Sequence, residues 1–493
     1  MGISPDLKEL AEEWLRLDKD KSTTDQLYHL LVQGDAPTLD RLLRPRIAFG
    51  TAGLRGPMQA GFACMNSLTV IQASQGLAAY LLATEKDAKK RGVVIGRDAR
   101  HNSEKFAKLA AAAFVAKGIK VWWAVQCAAR PEHVSVTMDP NLRFVYTPMH
   151  GVGLPAMQQC VEDLGIASQM VVVEQQAQPD PEFPTVKFPN PEEKGALDLA
   201  IATADASSIT LILASDPDAD RLAVAEKVDG KWHIFSGNQL GILLASYLLS
   251  RYPDSKPREK LAMLASTVSS RMLHALAKKE GFHFTETLTG FKWLGNVARD
   301  LEKSGYDVVF AFEEALGYMI PQTVHDKDSI SAAAVFLTAT SHWATQGLTP
   351  YAQLQKLYQH VGYFEDANTY LVSPSPTTTT AVFTAIRALG TPHPTQLGNR
   401  KITRWRDLTV GYDSQSEDHT PDLPVDASAQ MITCEMGDGA RFTVRGSGTE
   451  PKIKLYIECV GSSSEEAKSG AREILGDLLR EWFKPEENGL RLA

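Results

Sequence analysis

At 493 residues, with 44% hydrophobic and 22% charged side chains, the chain has the size of roughly three or four ordinary domains and a globular composition. Its net charge of -8 excludes a surface that is basic overall, so no nucleic-acid partner is expected and any anionic ligand must be gripped by a local site. The longest apolar stretch, residues 240–249, contains Gly241 and Ser246 and is too short to span a bilayer, so no membrane partner is expected either.

Met1-Gly2 is followed by Asp6 where a myristoylation signal wants Ser or Thr, and by no apolar leader, which points to a cytoplasmic protein. Cys64, Cys127, Cys160, Cys434 and Cys459 are scattered and odd in number, as expected of reduced thiols used as small packing residues. Leu7, Leu10, Trp14 and Leu17 follow helical spacing and predict an amphipathic N-terminal helix that packs on the body.

Further on, Phe49-Gly50-Thr51-Ala52-Gly53-Leu54-Arg55-Gly56 sets three glycines beside a threonine and an arginine. Backbone can approach an anion closely there, with Arg55 as a charge-assisted donor; an ordinary glycine-rich turn is the plain alternative. Apolar runs followed by turns and helical patterns, at 92–98 before 103–117 and at 209–214 before an acidic loop, are the grammar of an α/β protein. The segment PDPEFPTVKFPNPEE, 179–193, holds five prolines and can be neither helix nor central strand, so an ordered loop is expected.

The acidic loop itself, Asp216-Pro217-Asp218-Ala219-Asp220-Arg221, alternates three carboxylates directly after an apolar strand. It suits a hard cation such as Mg²⁺, which takes oxygen ligands in near-octahedral geometry and serves phosphoryl transfer. An EF-hand would need Gly and Glu where Arg221 and Lys227 stand; an acidic surface turn is the other alternative. Gly290-Phe291-Lys292-Trp293 and Phe312-Glu313-Glu314-Ala315-Leu316-Gly317-Tyr318 mix charge with aromatic rings, as a sugar site does, though each alone also fits simple packing. Arg445-Gly446-Ser447-Gly448-Thr449-Glu450-Pro451, before a strand at 453–459, is an anion-site pattern, with a plain turn as the alternative. Breaks near 252–258 and 373–380 read as domain joints, and 413–426 as an exposed, mobile loop.

In that order, together with GRDARHNS (96–103), TPMHGVG (from Thr147), SGNQLG (from Ser236), TVSS (from Thr267) and HDKDS (from His325), these motifs resemble the α-D-phosphohexomutase superfamily, in its branch of type-2 phosphoglucomutases and phosphopentomutases. The resemblance covers nearly the whole chain. It implies three α/β mixed-sheet domains, the first truncated, and a C-terminal α+β domain, with boundaries expected at 1–141, 142–255, 256–372 and 373–493. It implies an isomerase that interconverts sugar 1-phosphates and 5- or 6-phosphates, with Mg²⁺ on Asp216, Asp218 and Asp220 and Arg221 beside the transferred group. Lys292, Trp293, Glu313 and Glu314 would hold the sugar, while Arg445, Ser447, Gly448 and Thr449 would clamp the other phosphate. Arg55 would lie near the phosphorylated serine, and Lys327 would help as acid, base or charge. A sugar bisphosphate such as glucose 1,6-bisphosphate is implied as activator, and a monomer as the working state.

One motif of that superfamily is absent. Its members carry phosphate on the serine of a T-A-S-H-N-P loop between the segments matching GRDARHNS and TPMHGVG, and no such loop stands there. Ser103 and Ser135 are the serines at hand, and neither has the family's surroundings. The interval is short, so Trp122 and Trp123 should lose apolar neighbours, each 100 Å² uncovered costing about 2.5 kcal/mol. Without a covalent carrier the mutase route fails while ground-state binding survives, so a non-catalytic sugar-phosphate binder is the second reading. A Mg²⁺-dependent phosphatase would need an aspartate-nucleophile motif beside the metal loop, which is not there.

Overall fold

The computed structural model describes residues 3–50, 53–123, 138–447 and 451–492, so the expectations placed on Ser135, Gly448 and Thr449 lie outside the described residues. The chain forms two compact units, one of residues 1–130, 140–225 and 329–334, the other of 131–139, 226–328 and 335–493.

In the first unit the N-terminal helix runs Pro5–Leu17, with Leu7, Ala11 and Trp14 on its buried face. Trp14 is fully buried and meets Phe62 edge to face at 5.0 Å, the packing that its spacing predicts. The helices Lys21–Gln33 and Ala36–Leu43 follow, each opened by an aspartate side chain, Asp20 or Asp35, that accepts a backbone N–H of the first turn.

The strands Val93–Ile95 and Val121–Trp123 pair in parallel. Residues of helices Ser67–Thr84 and Ser103–Ala116 cover one face of this pair through Ala78 and Phe114, against Val93, Ile95 and Val121. Val94 and Trp122 alternate to the other face and stay 59% and 49% exposed, with Trp123 at 45%. Lys120 partly shields the Trp122 ring by lying 3.5 Å over it.

Next come three parallel strands in the order Met170–Val172, Phe144–Thr147, Leu211–Ser215. The helices Leu154–Asp163 and Asp198–Ala206 lie between them in sequence, as crossover connections require. Phe144–Thr147 and Leu211–Ser215 are buried throughout. The proline-rich stretch is loop throughout, with its Val186 buried.

In the second unit a four-stranded sheet runs His283–Thr287, Leu261–Ser266, Asp307–Glu313, Gly317–Met319, the first three parallel and the last antiparallel. Helix Gly237–Ser250 approaches it so closely that a Cβ on Gly241 would lie 2.6 Å from the Phe312 ring. This helix is the long apolar stretch of the sequence, and no described helix is long and apolar enough to cross a membrane.

The C-terminal part is an antiparallel sheet built on Arg400–Asp407, Met431–Met436, Arg441–Gly446, Lys452–Gly461 and Thr369–Val372. Helices Pro376–Arg387 and Ser464–Asp477 contribute Phe383, Ile386, Ala471 and Ile474 to its core. Cys434 and Cys459 are buried in that core, as small packing residues would be. The 413–426 loop is exposed as expected but anchored rather than loose. Asp413 is buried against Arg404, Asp422 meets Arg406 at 2.9 Å, and Leu423 is buried beside Leu408 and Met431. Nor is the break at 252–258 bare, since Tyr252 is buried and donates to Asp307 at 2.8 Å.

Two sheets of the second unit are joined by a buried charge cluster. Glu286 accepts from Arg406 Nη2 at 2.6 Å and Arg441 Nη1 at 2.7 Å, and both arginines also donate to Thr267 Oγ1. Burial alone would raise Glu286, but the two guanidiniums overcome it and hold the carboxyl well below its usual range.

Candidate active site

The acidic loop Asp216–Arg221 starts where the buried strand Leu211–Ser215 ends, at the carboxyl edge of parallel strands, where open α/β sheets place ligands. Its shape is over-determined. Met149 and His150 take left-handed backbone, φ 49° and 58°, and the turn brings Gly151 against Pro217. A Cβ on Gly151 would sit 2.4 Å from Pro217 Cα, so only glycine fits. Val152 donates its N–H to the Pro217 carbonyl at 3.0 Å. His150 is held in turn at 2.8 Å by Thr185 of the proline-rich loop.

Asp216 is buried, and its Oδ1 accepts the backbone N–H groups of Asp220 and Arg221, each at 3.0 Å. Asp218 and Asp220 flank Ala219, whose φ of 57° folds the chain back so that the three aspartates offer oxygens within 4.8 Å of one another. Burial first, then the charges of Asp218 and Asp220, push Asp216 up to about 8. Crowding three carboxylates this way is unfavourable without a cation and favourable with one, and an all-oxygen donor set suits Mg²⁺, so the residues fit that ion. Arg221 Nε lies 3.8 Å from Asp220, and Arg100 Nη2 3.6 Å from Asp218.

A pH dependence follows. A cation must displace the proton that Asp216 keeps below about pH 8, so apparent Mg²⁺ affinity should climb with pH and level off above about 8. Calorimetry in buffers of different ionisation enthalpy should show proton release on binding at pH 7; none released would refute this.

The second unit carries the other predicted residues. Glu313 ends strand Asp307–Glu313, and its Oε1 accepts the Gly290 N–H at 2.6 Å, fastening the turn that leads into helix Phe291–Lys303 with Lys292 and Trp293. Gly290 has φ 107°, a conformation that favours glycine. Glu314 is held by serines. Ser269 Oγ accepts the Glu314 N–H at 3.0 Å, and Ser269 and Ser266 hydroxyls lie 3.3 and 3.4 Å from Oε2.

Burial, then the neighbouring Glu314 charge, pushes Glu313 up to about 7. The positive charges of Lys327 and Arg445 act on Glu313 in the opposite sense. Burial raises Glu314 as well. Lys327 Nζ lies 5.4 Å over the Phe291 ring and 3.6 Å from Asp326. Lys292 is exposed, with its Nζ 5.8 Å over Trp293. Arg445 donates to Thr289 Oγ1, and Ser447 pairs through its backbone N–H with the Lys452 carbonyl at 2.8 Å. Arg55, in the first unit, is exposed just after the short hairpin of Phe49–Gly50 and Gly53–Leu54. Ser103 is occupied locally: its Oγ accepts the Asp98 N–H at 3.1 Å where its helix begins.

Sequence reasoning missed the supports. Ser266 and Ser269 hold Glu314, and Tyr146, Ser215 and Ser329 form a hydroxyl chain behind the acidic loop. The TVSS motif signalled Ser269 and the HDKDS motif Ser329, but only the fold gives them partners.

A multi-domain α/β chain with an acidic loop at a strand end and charged, aromatic loops in its second half is the architecture of the sugar-phosphate mutases. Profiles of the phosphoglucomutase/phosphomannomutase family match in order: alpha/beta/alpha domain I at residues 46–137, domain II at 126–230, domain III at 236–361 and the C-terminal domain at 421–476. Phosphoribomutase of Saccharomyces cerevisiae is 37% identical over 609 aligned positions that cover 98% of each chain. Phosphopentomutase of Mus musculus is 36% identical over 601 positions covering all of this chain and 97% of that one. A crystal structure of a phosphoglucomutase/phosphomannomutase family protein from Burkholderia thailandensis shares the fold at TM-score 0.60 and 15% identity, over 87% of this chain and 95% of that one. The chain belongs to this family, within the α-D-phosphohexomutase superfamily. Both relatives' alignments are longer than the 493 residues of this chain, so they carry segments that it lacks.

Proposed function

We propose that the chain is a Mg²⁺-dependent sugar-phosphate phosphomutase of the pentose- and glucose-phosphate type, a cytoplasmic monomer that takes a sugar bisphosphate as activator. The observation that carries this reading is the metal loop, whose three carboxylates share one small volume with Asp216 buried. Asp216, Asp218 and Asp220 would hold the ion, which when bound supplies charge to offset the equatorial oxygens of a transferring phosphoryl group. Arg221 adds a fixed positive charge beside it.

Sugar hydroxyls meet Glu314, kept in place by Ser266 and Ser269, and Lys292 with Trp293 offers an ammonium and a ring face. Arg445, with Ser447, Gly448 and Thr449, takes the phosphate that is not transferred. Lys327, whose charge acts on Glu313, would hold or move a proton at a sugar oxygen, and Arg55 would add a positive charge for a phosphate group.

The absence of a T-A-S-H-N-P motif from the sequence favours a second reading, a protein that binds sugar phosphates without turning them over. A coupled assay with ribose 1-phosphate or glucose 1-phosphate, Mg²⁺ and glucose 1,6-bisphosphate separates the two. Conversion above a no-enzyme blank, with a phosphorylated serine found by mass spectrometry, supports the mutase. No conversion and no labelled serine leaves the binder.

A further inference from the structure

Behind the metal loop lies a row of three buried hydroxyls that reaches the turn between Asp218 and Asp220. Tyr146 OH is 3.0 Å from Ser215 Oγ, Ser215 Oγ is 2.9 Å from Ser329 Oγ, and Ser329 Oγ is 2.8 Å from the Ala219 carbonyl oxygen. Tyr146, Ser215 and Ser329 are each 0% exposed. The Ser329 backbone N–H donates to the same carbonyl at 3.1 Å. All of these residues belong to the first unit.

The direction of the row follows from its end. A carbonyl oxygen only accepts, so Ser329 spends its single hydroxyl proton on Ala219. Its oxygen then accepts from Ser215, and the Ser215 oxygen accepts from Tyr146. Each O–H polarises the next, so the last bond is strengthened in a place that water does not reach. The space around the row is tight as well, since a Cβ on Gly153 would come within 2.6 Å of Tyr146 OH.

The residue held by this row is the one whose left-handed backbone turns Asp218 and Asp220 toward Asp216. We propose that Ser329, backed by Ser215 and Tyr146, is a positioning residue of the metal site, fixing the Ala219 carbonyl so that the three carboxylates are gathered before any ion arrives. The proposal rests on the reading of Asp216, Asp218 and Asp220 as cation ligands.

Ser329→Ala removes the hydroxyl without adding bulk, and Tyr146→Phe removes only the donor at the far end. In the metal-free full chain, the Ala219, Asp220 and Arg221 amides should exchange hydrogen at least several-fold faster in Ser329→Ala, with exchange in strand Leu211–Ser215 unchanged. In calorimetric titration with MgCl₂ alone, Ser329→Ala should raise Kd about tenfold and Tyr146→Phe by less, as losses behind a metal's ligands do. A merely structural serine would lower the melting temperature and leave Kd in place. Parent-like loop exchange and parent-like Kd in Ser329→Ala, with Asp216→Asn losing Mg²⁺ in the same series, would overturn the proposal. Should Asp216→Asn bind as the parent does, the cation reading fails first, and the proposal with it.

Discussion

Asp216→Asn should lower Mg²⁺ affinity by roughly a hundredfold or more, since even residues one shell behind a metal cost about 10- to 100-fold. The substitution is close to isosteric, and the amide oxygen can still accept the N–H groups of Asp220 and Arg221 that Asp216 Oδ1 accepts now. What it removes is the charge. Stability should move the other way. In the metal-free parent, Asp216 keeps its proton up to about pH 8 while the unfolded chain gives it up near the ordinary aspartate value. The folded state therefore binds the extra proton between those limits, and stability falls as pH rises through that window. The Asn variant lacks this contribution and should show a shallower decline. Calorimetric titration with MgCl₂, and thermal unfolding in chelator from pH 5 to 9, read both effects. Unchanged affinity would remove Asp216 from the site.

The second large effect is expected at Glu286, far from the metal loop in sequence. Glu286→Gln leaves two buried guanidiniums, Arg406 at 1% and Arg441 at 7% exposure, without the carboxylate that both contact. Breaking a buried pair from one side costs about 3 to 5 kcal/mol, because the remaining charge cannot be solvated. Asp422 offers Arg406 a partial substitute at 2.9 Å, but it is exposed and does not reach Arg441 in the pairs observed.

Hydrogen exchange in strands Arg400–Asp407 and Arg441–Gly446 is the suitable readout, since a chain of two units need not unfold in one step. A change below about 1 kcal/mol would show that the cluster does not hold the two sheets together. The sign of the pH effect is set by the lowered carboxyl. The stabilisation is present above the ordinary glutamate value and is lost as pH falls through the depressed one.

These two sites also mark what could be read from the chain before its fold. Asp216, Asp218 and Asp220 were legible because local spacing after an apolar run is enough to gather them. Trp14 was legible for a similar reason, since helical spacing names the buried face. Glu286, Arg406 and Arg441 were not. Glu286 lies more than a hundred positions before either arginine in sequence, and the three converge only when the two sheets pack.

The hydroxyl row escaped notice because the partners of Tyr146, Ser215 and Ser329 are tertiary, even though Ser329 stands in the HDKDS motif. The 413–426 stretch misled in the opposite direction. Its polar composition suggests a loose loop, yet Asp413 and Leu423 turn inward and fasten it. Glu313 and Glu314 were read as a pair of sugar contacts. The fold shows Glu313 accepting the Gly290 N–H, a structural role that composition cannot reveal.

Titration of the full-length chain with ribose 5-phosphate and with glucose 1-phosphate, in MgCl₂ and then in chelator, tests most directly that this protein grips phosphorylated sugars. The account predicts saturable binding of at least one of them, with Arg445→Ala weakening it tenfold or more, about 1.4 kcal/mol. Absence of binding to either sugar phosphate by the folded parent, with or without the ion, would contradict it.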